Sequence, residues 1–462
     1  MGKNDIIGCA CPVKTRAQGT FFRRAGTLLR IVEKSRRDSI AALQTEWRAL
    51  QAQCPQASPY QTWEWNHIWW RHYGARKRLR LLEFHVIEAG ADRSDNGSEN
   101  KFKVGIKGRI GSESNSNSAG KLVGIAPLYT SRHLGTPLRR LAWVGTGQSD
   151  YLDLLVLPEY AAEVAAALRQ HLEDGLRGWD IADLQQLRDD SHLHEQSVPT
   201  TSPRSSDENL AKRFEAQTQS LLPMEPCPHL PLPDTWDAVT ARLGKKMRSN
   251  LGYYDRLLHK TFTDADYALA DTETLSTGMT ALFELHQKRW NARWLPGVLG
   301  GKKVQAFHRD IAACFLERGW LRLHTLAVDG DIRAALYCFA YADRTYYYLG
   351  GFAPELSKYS LGTLLTGHAI RHAIAEQHTE FDFLRGNEPY KYRWLPNERI
   401  NHRLLILRTY DRLGGLGELP GRAGFALNRV ERYVEHRAKA FAEQQGRREK
   451  SEKDRESVKS SE

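Results

Sequence analysis

A pattern of apolar strands followed by a helix occurs twice along this chain, and the repetition limits the folds open to it more than any other feature. In the first half, "LRLLEFHVIEAG" leads across a polar insertion to "KLVGIAPLYTS"; in the second, "LRLHTLAVDGDIRAALYCFAY" has the same form without the insertion. These segments alternate apolar and polar residues with the period of strands, and Asp329-Gly330 supplies a tight hairpin turn. Downstream, "LAWVGTGQSDYLDLLV", a helical stretch over 159–173 and "WDIADLQQL" are matched by "RTYYYLGGF", a helical stretch over 361–375 and "TEFDFLRG". Each half therefore reads strand, strand, strand, helix, strand. A strand–helix–strand unit joined to a meander predicts a mixed, mostly antiparallel sheet flanked by helices. The fold class is α/β (α+β), built as two tandem domains.

The 462 residues exceed what one core ordinarily serves, and a hydrophobic content of 41% suffices for packed domains. Composition shifts set the expected boundaries. They give a flexible N-terminus over 1–27 and a first domain over 28–188 with a disordered insertion at 90–120. A polar linker over 189–222, a second domain over 223–425 and a charged helical or disordered tail over 426–462 follow. No apolar run reaches the roughly 20 residues of a membrane span. The basic, mildly amphipathic segment 21–32 suits peripheral contact with the inner membrane, although "GTLLRIVEKS" reads as a first strand. The six cysteines are scattered, which suits reduced thiols in the cytoplasm and no metal. A formal charge of +11 attracts anions, among them nucleic acid, acidic lipid and phosphorylated small molecules. No DNA-binding motif accompanies it.

The second half opens with a helix predicted over 235–260, with Asp234 as N-cap and Asp237 in its first turn. Trp236, Val239, Leu243, Met247, Leu251, Tyr254 and Leu258 form its apolar stripe. Arg242, Lys246, Tyr253, Arg256 and Lys260 form an adjacent basic stripe, which reads equally as a solvated face or as a positive wall beside an anionic ligand.

Chemistry concentrates further on. The strand ending at Gly350-Gly351 leads through a polar loop to Tyr359, Ser360, Leu361, Gly362 and Thr363 at a helix start. Glycine permits close backbone approach, and free N–H groups with the helix dipole attract an anion such as a diphosphate. An ordinary N-cap by Ser360 is the alternative. The next strand carries Asp382, facing opposite to Phe381 and Phe383. Past its end come Arg385, Glu388, Tyr390, Lys391, Arg393 and Trp394, a charged cluster where α/β sheets place ligands. Upstream, "LHQKRWNARWLPGVL" brings His286, Arg289, Trp290, Arg293 and Trp294 together, suited to a flat or sugar-like acceptor. Gly145, Gly147, Asp150 and Asp153 in the first half could form a second ligand loop. The helix after them starts with Pro158-Glu159, whose acid repels phosphate, so the first half reads as a partner that shapes the cleft.

The runs "YLGGF…YSLGTLL…FDFLRGNEPYKYRW" and "LHQKRW", with "PYQTWEWNHIWWRHYG" and "GTGQSDYLDLL", resemble GNAT-superfamily proteins of the CelD-like kind, associated with cellulose and exopolysaccharide biosynthesis. The resemblance covers roughly residues 28–406. It implies tandem GNAT-like folds, as in Fem-type peptidyl transferases, and acetyl-CoA or another acyl-CoA as co-substrate. The donor diphosphate would lie on Gly350, Gly351, Tyr359, Ser360, Gly362 and Thr363, although Lys358–Thr363 departs from the usual Arg/Gln-x-x-Gly-x-Gly/Ala form. An anion-binding helix start beside a carboxylate-rich strand end suggests that Asp382 or Glu388 accepts the acceptor's proton, directly or through water. Lys391 or a backbone N–H stabilises the oxyanion, and Tyr390 or Tyr359 protonates the leaving thiolate. His286, Arg289, Trp290 and Arg385 would contact a small-molecule or saccharide acceptor. Charged tRNA as donor, or a non-catalytic scaffold of a polysaccharide-producing assembly, are the alternatives.

Overall fold

The computed structural model describes residues 20–24, 27–87, 120–133, 138–195, 219–291 and 299–407, with Arg289, Trp290 and Asn291 described by backbone alone. The predicted N-terminal segment before residue 20, most of the insertion at 90–120, linker residues 196–218, Arg293 and Trp294, and the tail from 408 lie outside these residues.

The strands are β1 (Thr20–Arg24), β2 (Thr27–Lys34), β3 (Arg78–Val86), β4 (Lys121–Arg132), β5 (Arg139–Trp143), β6 (Leu155–Val156) and β7 (Ile181–Leu187) in the first half. The second half has β8 (Gln219–Pro231), β9 (Ala265–Leu269), β10 (Leu321–Val328), β11 (Asp331–Tyr341), β12 (Arg344–Phe352), β13 (Glu380–Asp382) and β14 (Asn397–Leu407). The helices used below are α1 (Gln44–Gln51), α2 (Trp63–Tyr73), α3 (Ala161–Gln170), α4 (Trp236–Arg242), α5 (Lys245–Thr261), α6 (Leu275–Asn291), α7 (Lys302–Glu317), α8 (Leu361–Ala375) and α9 (Pro389–Tyr392). The repeat appears as β3-β4-β5-α3-β7 and β10-β11-β12-α8-β13. This is the mixed α/β, mostly antiparallel architecture that the sequence predicts.

The two halves share one sheet, in the order β1-β2-β3-β4-β5-β7-β14-β8-β13-β12-β11-β10-β9. β14, late in the chain, pairs with β7 of the first half, and β8 lies between β14 and β13. β8 contains Pro223, Pro226, Pro228 and Pro231, residues normally confined to edge strands or bulges. Here Pro228 O accepts from Phe383 N at 2.9 Å and Pro226 O from Gly386 N at 2.8 Å. The missing N–H groups of Pro226 and Pro228 thus face the side on which β13 has already ended, so these two cost no ladder bond there.

The inner core runs across the seam. Trp65 of α2 packs edge-on at 5.3 Å from Phe307 of α7 and 5.9 Å from Phe339 of β11. A second core under α4, α5 and α8 covers the other face, with Tyr347, Phe381 and Phe383. The single helix predicted over 235–260 is two helices broken at Gly244, because Leu243 turns extended (φ −65°, ψ 145°). Its N-cap is Thr235, not Asp234: Thr235 Oγ1 accepts from Ala238 N at 3.2 Å.

Candidate active site

Both halves contain a parallel strand pair that parts after a few residues. β5 and β7 pair only at Arg140–Ile181 and Leu141–Ala182. β12 and β13 pair from Arg344–Glu380 to Tyr346–Asp382, and β12 then runs on to Phe352 with that edge free of any strand among the described residues. The first opening is closed by the chain itself. Leu152 N donates to Gln186 O of β7 at 2.9 Å, and Trp65 Nε1 donates to Ser149 Oγ at 2.9 Å. The second opening is edged by residues 347–352 of β12.

The loop that closes the first opening also reaches the second half. Tyr348 Oη donates to Gln148 O at 2.8 Å. Asp150, 5% exposed, lies 2.7 Å from Arg385 Nε. Burial pushes the Asp150 carboxyl up, against the pull of Arg385. Tyr151 Oη donates to Asp382 Oδ2 at 2.7 Å. Sequence reasoning placed Asp150 in a cleft-shaping half and gave no role to Gln148, Tyr151 or Tyr348. Their partners lie about 200 residues away in sequence, beyond any local pattern.

The structure brings Asp382, Arg385, Glu388, Tyr390 and Lys391 together at the end of β13, and it changes three expected roles. Asp382 faces opposite to Phe381 and Phe383 as predicted but is fully buried. Its Oδ1 accepts from Leu384 N at 2.7 Å, and its Oδ2 from Tyr151 and from Arg399 Nη1 at 3.3 Å. Burial pushes its carboxyl up to about 6. A base needs a lone pair within reach of the acceptor, and both Asp382 oxygens are buried and engaged, Oδ1 by its own turn and Oδ2 by Arg399 and, across the halves, Tyr151. Lys391 is also buried: its Nζ donates to Arg385 O at 2.7 Å, Leu384 O at 3.1 Å and Gly386 O at 3.3 Å, and lies 3.0 Å from Glu388 Oε2. It holds the turn 384–388 and has no N–H left for an oxyanion. Tyr359 is buried against Phe262, with ring centroids 5.1 Å apart, rather than facing the opening. Partly exposed Tyr390, 6.1 Å from Tyr347, stands at the opening itself, and Glu388, half exposed at 51%, lies two residues before it.

At the start of α8, Ser360 adopts left-handed geometry (φ 50°) and its side chain makes no capping hydrogen bond. The amides of Leu361 and Gly362 therefore find no acceptor among the described residues. Thr363 N, expected in the same cradle, donates inward to Ser360 O at 2.8 Å. The glycines serve packing more than ligand approach. A β-carbon at Gly351 would stand 2.6 Å from His286 N of α6, one at Gly350 2.5 Å from Tyr347 Oη, and one at Gly362 3.0 Å from Phe352. His286 is accordingly a core residue, 2% exposed. The side chains of Arg289 and Trp290 lie outside the described residues. Among the described residues no group of His, Cys, Asp or Glu could hold a metal ion, and no helix is long and apolar enough to cross a membrane.

The fit of an acyl-CoA rests on two observations. An extended, amide-bearing chain can add as a strand along the free β12 edge. The chain then leads from that edge through a short 3-10 segment, Pro354–Tyr359, to the uncapped start of α8, whose free amides suit a diphosphate.

Residues 245–392 match the family model for the acetyltransferase (GNAT) domain. The second half thus carries a domain of the GNAT acyltransferase class, over about a third of the chain. Solved structures with similar outlines include FemX, at 10% identity over 78% of this chain and 95% of that one, TM-score 0.49. A tandem GNAT protein from the clavulanic acid biosynthesis pathway has 13% identity over 81% and 98%, TM-score 0.38. A protein from Bacteroides thetaiotaomicron has 11% identity over 82% and 100%, TM-score 0.45. Among curated proteins none matches the sequence.

Proposed function

We propose that the second half transfers an acyl group from acyl-CoA, acetyl-CoA in the simplest case, to an amine or hydroxyl of a small-molecule or saccharide acceptor. The observation that carries this reading is the free β12 edge leading to the uncapped start of α8. A CelD-like role in cell-envelope or exopolysaccharide metabolism in the cytoplasm is the corresponding physiological reading.

The thioester supplies an activated acyl carbon. Residues 347–351 hold the donor along the strand edge and offer backbone N–H groups to the oxygen that gains charge. Glu388, two residues before Tyr390, accepts the proton of the attacking amine or hydroxyl, directly or through water. Tyr390 donates a proton to the departing sulfur. Lys391 positions Glu388, and Asp382 with Tyr151 keeps the two walls in register. Glu388→Gln is expected to lower kcat by about 100-fold or more, with acetyl-CoA affinity by calorimetry unchanged within twofold. Full turnover in that variant would remove Glu388 as the base, and absence of acetyl-CoA binding to the intact protein would remove the donor.

The exposed basic residues at the end of α4 and along α5 favour a second reading. Arg242, Lys245, Lys246, Arg256 and Lys260 make no ion pair among the described residues. Such a face suits charged tRNA as an aminoacyl donor. Salt-sensitive tRNA binding together with no acetyl-CoA binding would select it.

A further inference from the structure

Four histidines gather where α8 lies on the sheet. His324 of β10 is 1% exposed, and its Nδ1 has no partner among the described residues. Two histidines one turn apart on α8 stand over it: the His324 ring centroid is 5.7 Å from that of His368 and 5.2 Å from that of His372. His368 in turn stacks on Tyr267 of β9 at 4.7 Å. The fourth, His378, follows the end of α8, with its Nδ1 2.6 Å from Thr345 Oγ1 of β12.

One carboxylate serves the end of this group, and a guanidinium already holds it. Glu376 lies 2.6 Å from Arg322 Nη2 and accepts from Arg322 Nε at 2.9 and 3.0 Å. His372 Nδ1 stands 3.4 Å and His378 Nε2 3.9 Å from the same carboxylate. Asp255 of α5 bears on Tyr267 but lies 3.8 Å from His259, and Asp343, which bears on His378, accepts from Thr379 Oγ1 at 3.1 Å. Cys338 of β11 is a buried thiol on which Arg322 bears. No carboxylate answers His324 or His368. The charged neighbours that bear on His324 are His372, His368 and Arg322, and those on His368 are His372 and Arg371, all cationic once protonated. Burial first, then these neighbours, push His324 down to about 3 and His368 below the ordinary imidazole range. Burial also lowers His378.

We propose that this cluster is a pH-sensitive latch on α8: neutral imidazoles let the helix lie against β10 and β9, and their protonation loosens it. A second positive charge beside His324 would meet cations alone, at ring distances where like charges repel strongly in a buried setting. His372 lies in the last turn of α8, where the helix dipole and Glu376 favour a cation, so the loosening belongs to His324 and His368. An imidazole in the unfolded chain titrates near 6.5. Histidines held below that value in the fold contribute stability that is complete above about pH 6.5 and is lost as pH falls toward their folded values. The same helix begins at Leu361, whose free amide belongs to the donor's diphosphate seat. A helix that leaves the sheet in acid therefore also gives up the donor.

Release of the donor rests on the acyltransferase reading, whereas loosening of α8 does not, and one experiment separates them. Amide hydrogen exchange over 361–375 and acetyl-CoA affinity by calorimetry are measured on the intact chain at about pH 7.5 and about pH 5.5. Exchange is corrected for its intrinsic pH dependence and referenced to β3 and β4 of the first half. Acidification should speed exchange in α8 about tenfold relative to those strands and weaken acetyl-CoA binding by a similar factor. The His324→Phe/His368→Phe variant keeps a ring at both positions and should respond less than about twofold in either measurement. His368→Phe alone, at a partly exposed position where folding is secure, should respond about threefold. Equal exchange of α8 at both pH values in the intact chain, or an undiminished acid response in the variants, overturns the latch. A histidine-dependent response of α8 in a chain that binds acetyl-CoA at neither pH upholds the latch and removes the acyltransferase reading instead.

Discussion

Lys391→Met separates two roles for one ammonium. Methionine keeps the length and apolar packing of the stem and removes the charge. In the structure Lys391 Nζ donates to Arg385 O at 2.7 Å and Leu384 O at 3.1 Å, with a longer bond to Gly386 O and the Glu388 carboxylate at 3.0 Å. A hydrogen bond to a charged group contributes about 1.5–3 kcal/mol, so the two shorter carbonyl bonds alone amount to about 3–6 kcal/mol. Relief of the lysine's own desolvation offsets part of that loss. A net loss of about 3 kcal/mol is expected. The turn it holds contains Leu384 at φ 57°, a left-handed conformation that costs a non-glycine residue about 1–2 kcal/mol, and without the ammonium that turn relaxes. Glu388 then leaves its position, and a misplacement of about 1 Å lowers turnover about 100-fold. Urea unfolding, turnover and acetyl-CoA binding of the variant are compared with the intact protein. An unfolding free energy within about 0.5 kcal/mol of the intact protein, with turnover lost, would refute the positioning argument. It would place the ammonium on the reacting atoms.

Tyr151→Phe removes a buried hydrogen bond to Asp382 and should cost about 2 kcal/mol in urea unfolding; an unchanged midpoint would mean that Arg399 and Leu384 N suffice to hold Asp382. Gly351→Ala sets a β-carbon 2.6 Å from the backbone nitrogen of His286, so α6 must move. About 1–3 kcal/mol of stability and most of the turnover should go with it, and wild-type values for both would show that the helix yields freely. Asp153, whose carboxyl burial raises to about 6, gives a pH test. Its unfolded value is near 3.9, so the folded chain holds the proton more tightly. That stabilising contribution is complete below about pH 4 and is lost as pH rises to about 6. Asp153→Asn stays neutral and should gain on the intact protein in melting temperature between pH 4 and 7; a constant offset across that range would contradict the shift.

Much of the architecture was legible because it is local. The period-two strands β3, β4, β10, β11 and β12 and the helix Leu361–Ala375 follow from alternation and apolar spacing alone. So does the Asp329-Gly330 turn, where both residues have positive φ, 51° and 79°. β8 and β14 carried no such signal. The prolines of β8 argue against a central strand until it is known that its neighbour β13 stops after three residues. The break at Gly244 was hidden because the apolar stripe stays in phase across it. At the site, the sequence located the charged cluster after β13 but not its internal partners. Asp382 and Lys391 read as reactive groups because ionisable residues beside a helix start usually are. Their engagement depends on Tyr151, Arg399 and the folded-back carbonyls of 384–386, none of which spacing reveals.

The duplication also explains why one opening rather than two is available. Both halves part their parallel strands in the same way, and the helix after each opening differs in the way that matters to an anion. α8 follows an uncapped Ser360, whereas Pro158-Glu159 place an acid before α3. The first half fills its own opening with the loop 145–154, and that same loop supplies Gln148, Asp150 and Tyr151 to Tyr348, Arg385 and Asp382. Closing one copy thus creates the wall of the other. β14 pairs with β7, so the strands of the two halves join edge to edge in one continuous sheet. A ligand at the β12 edge would consequently be flanked by residues from both halves of the chain.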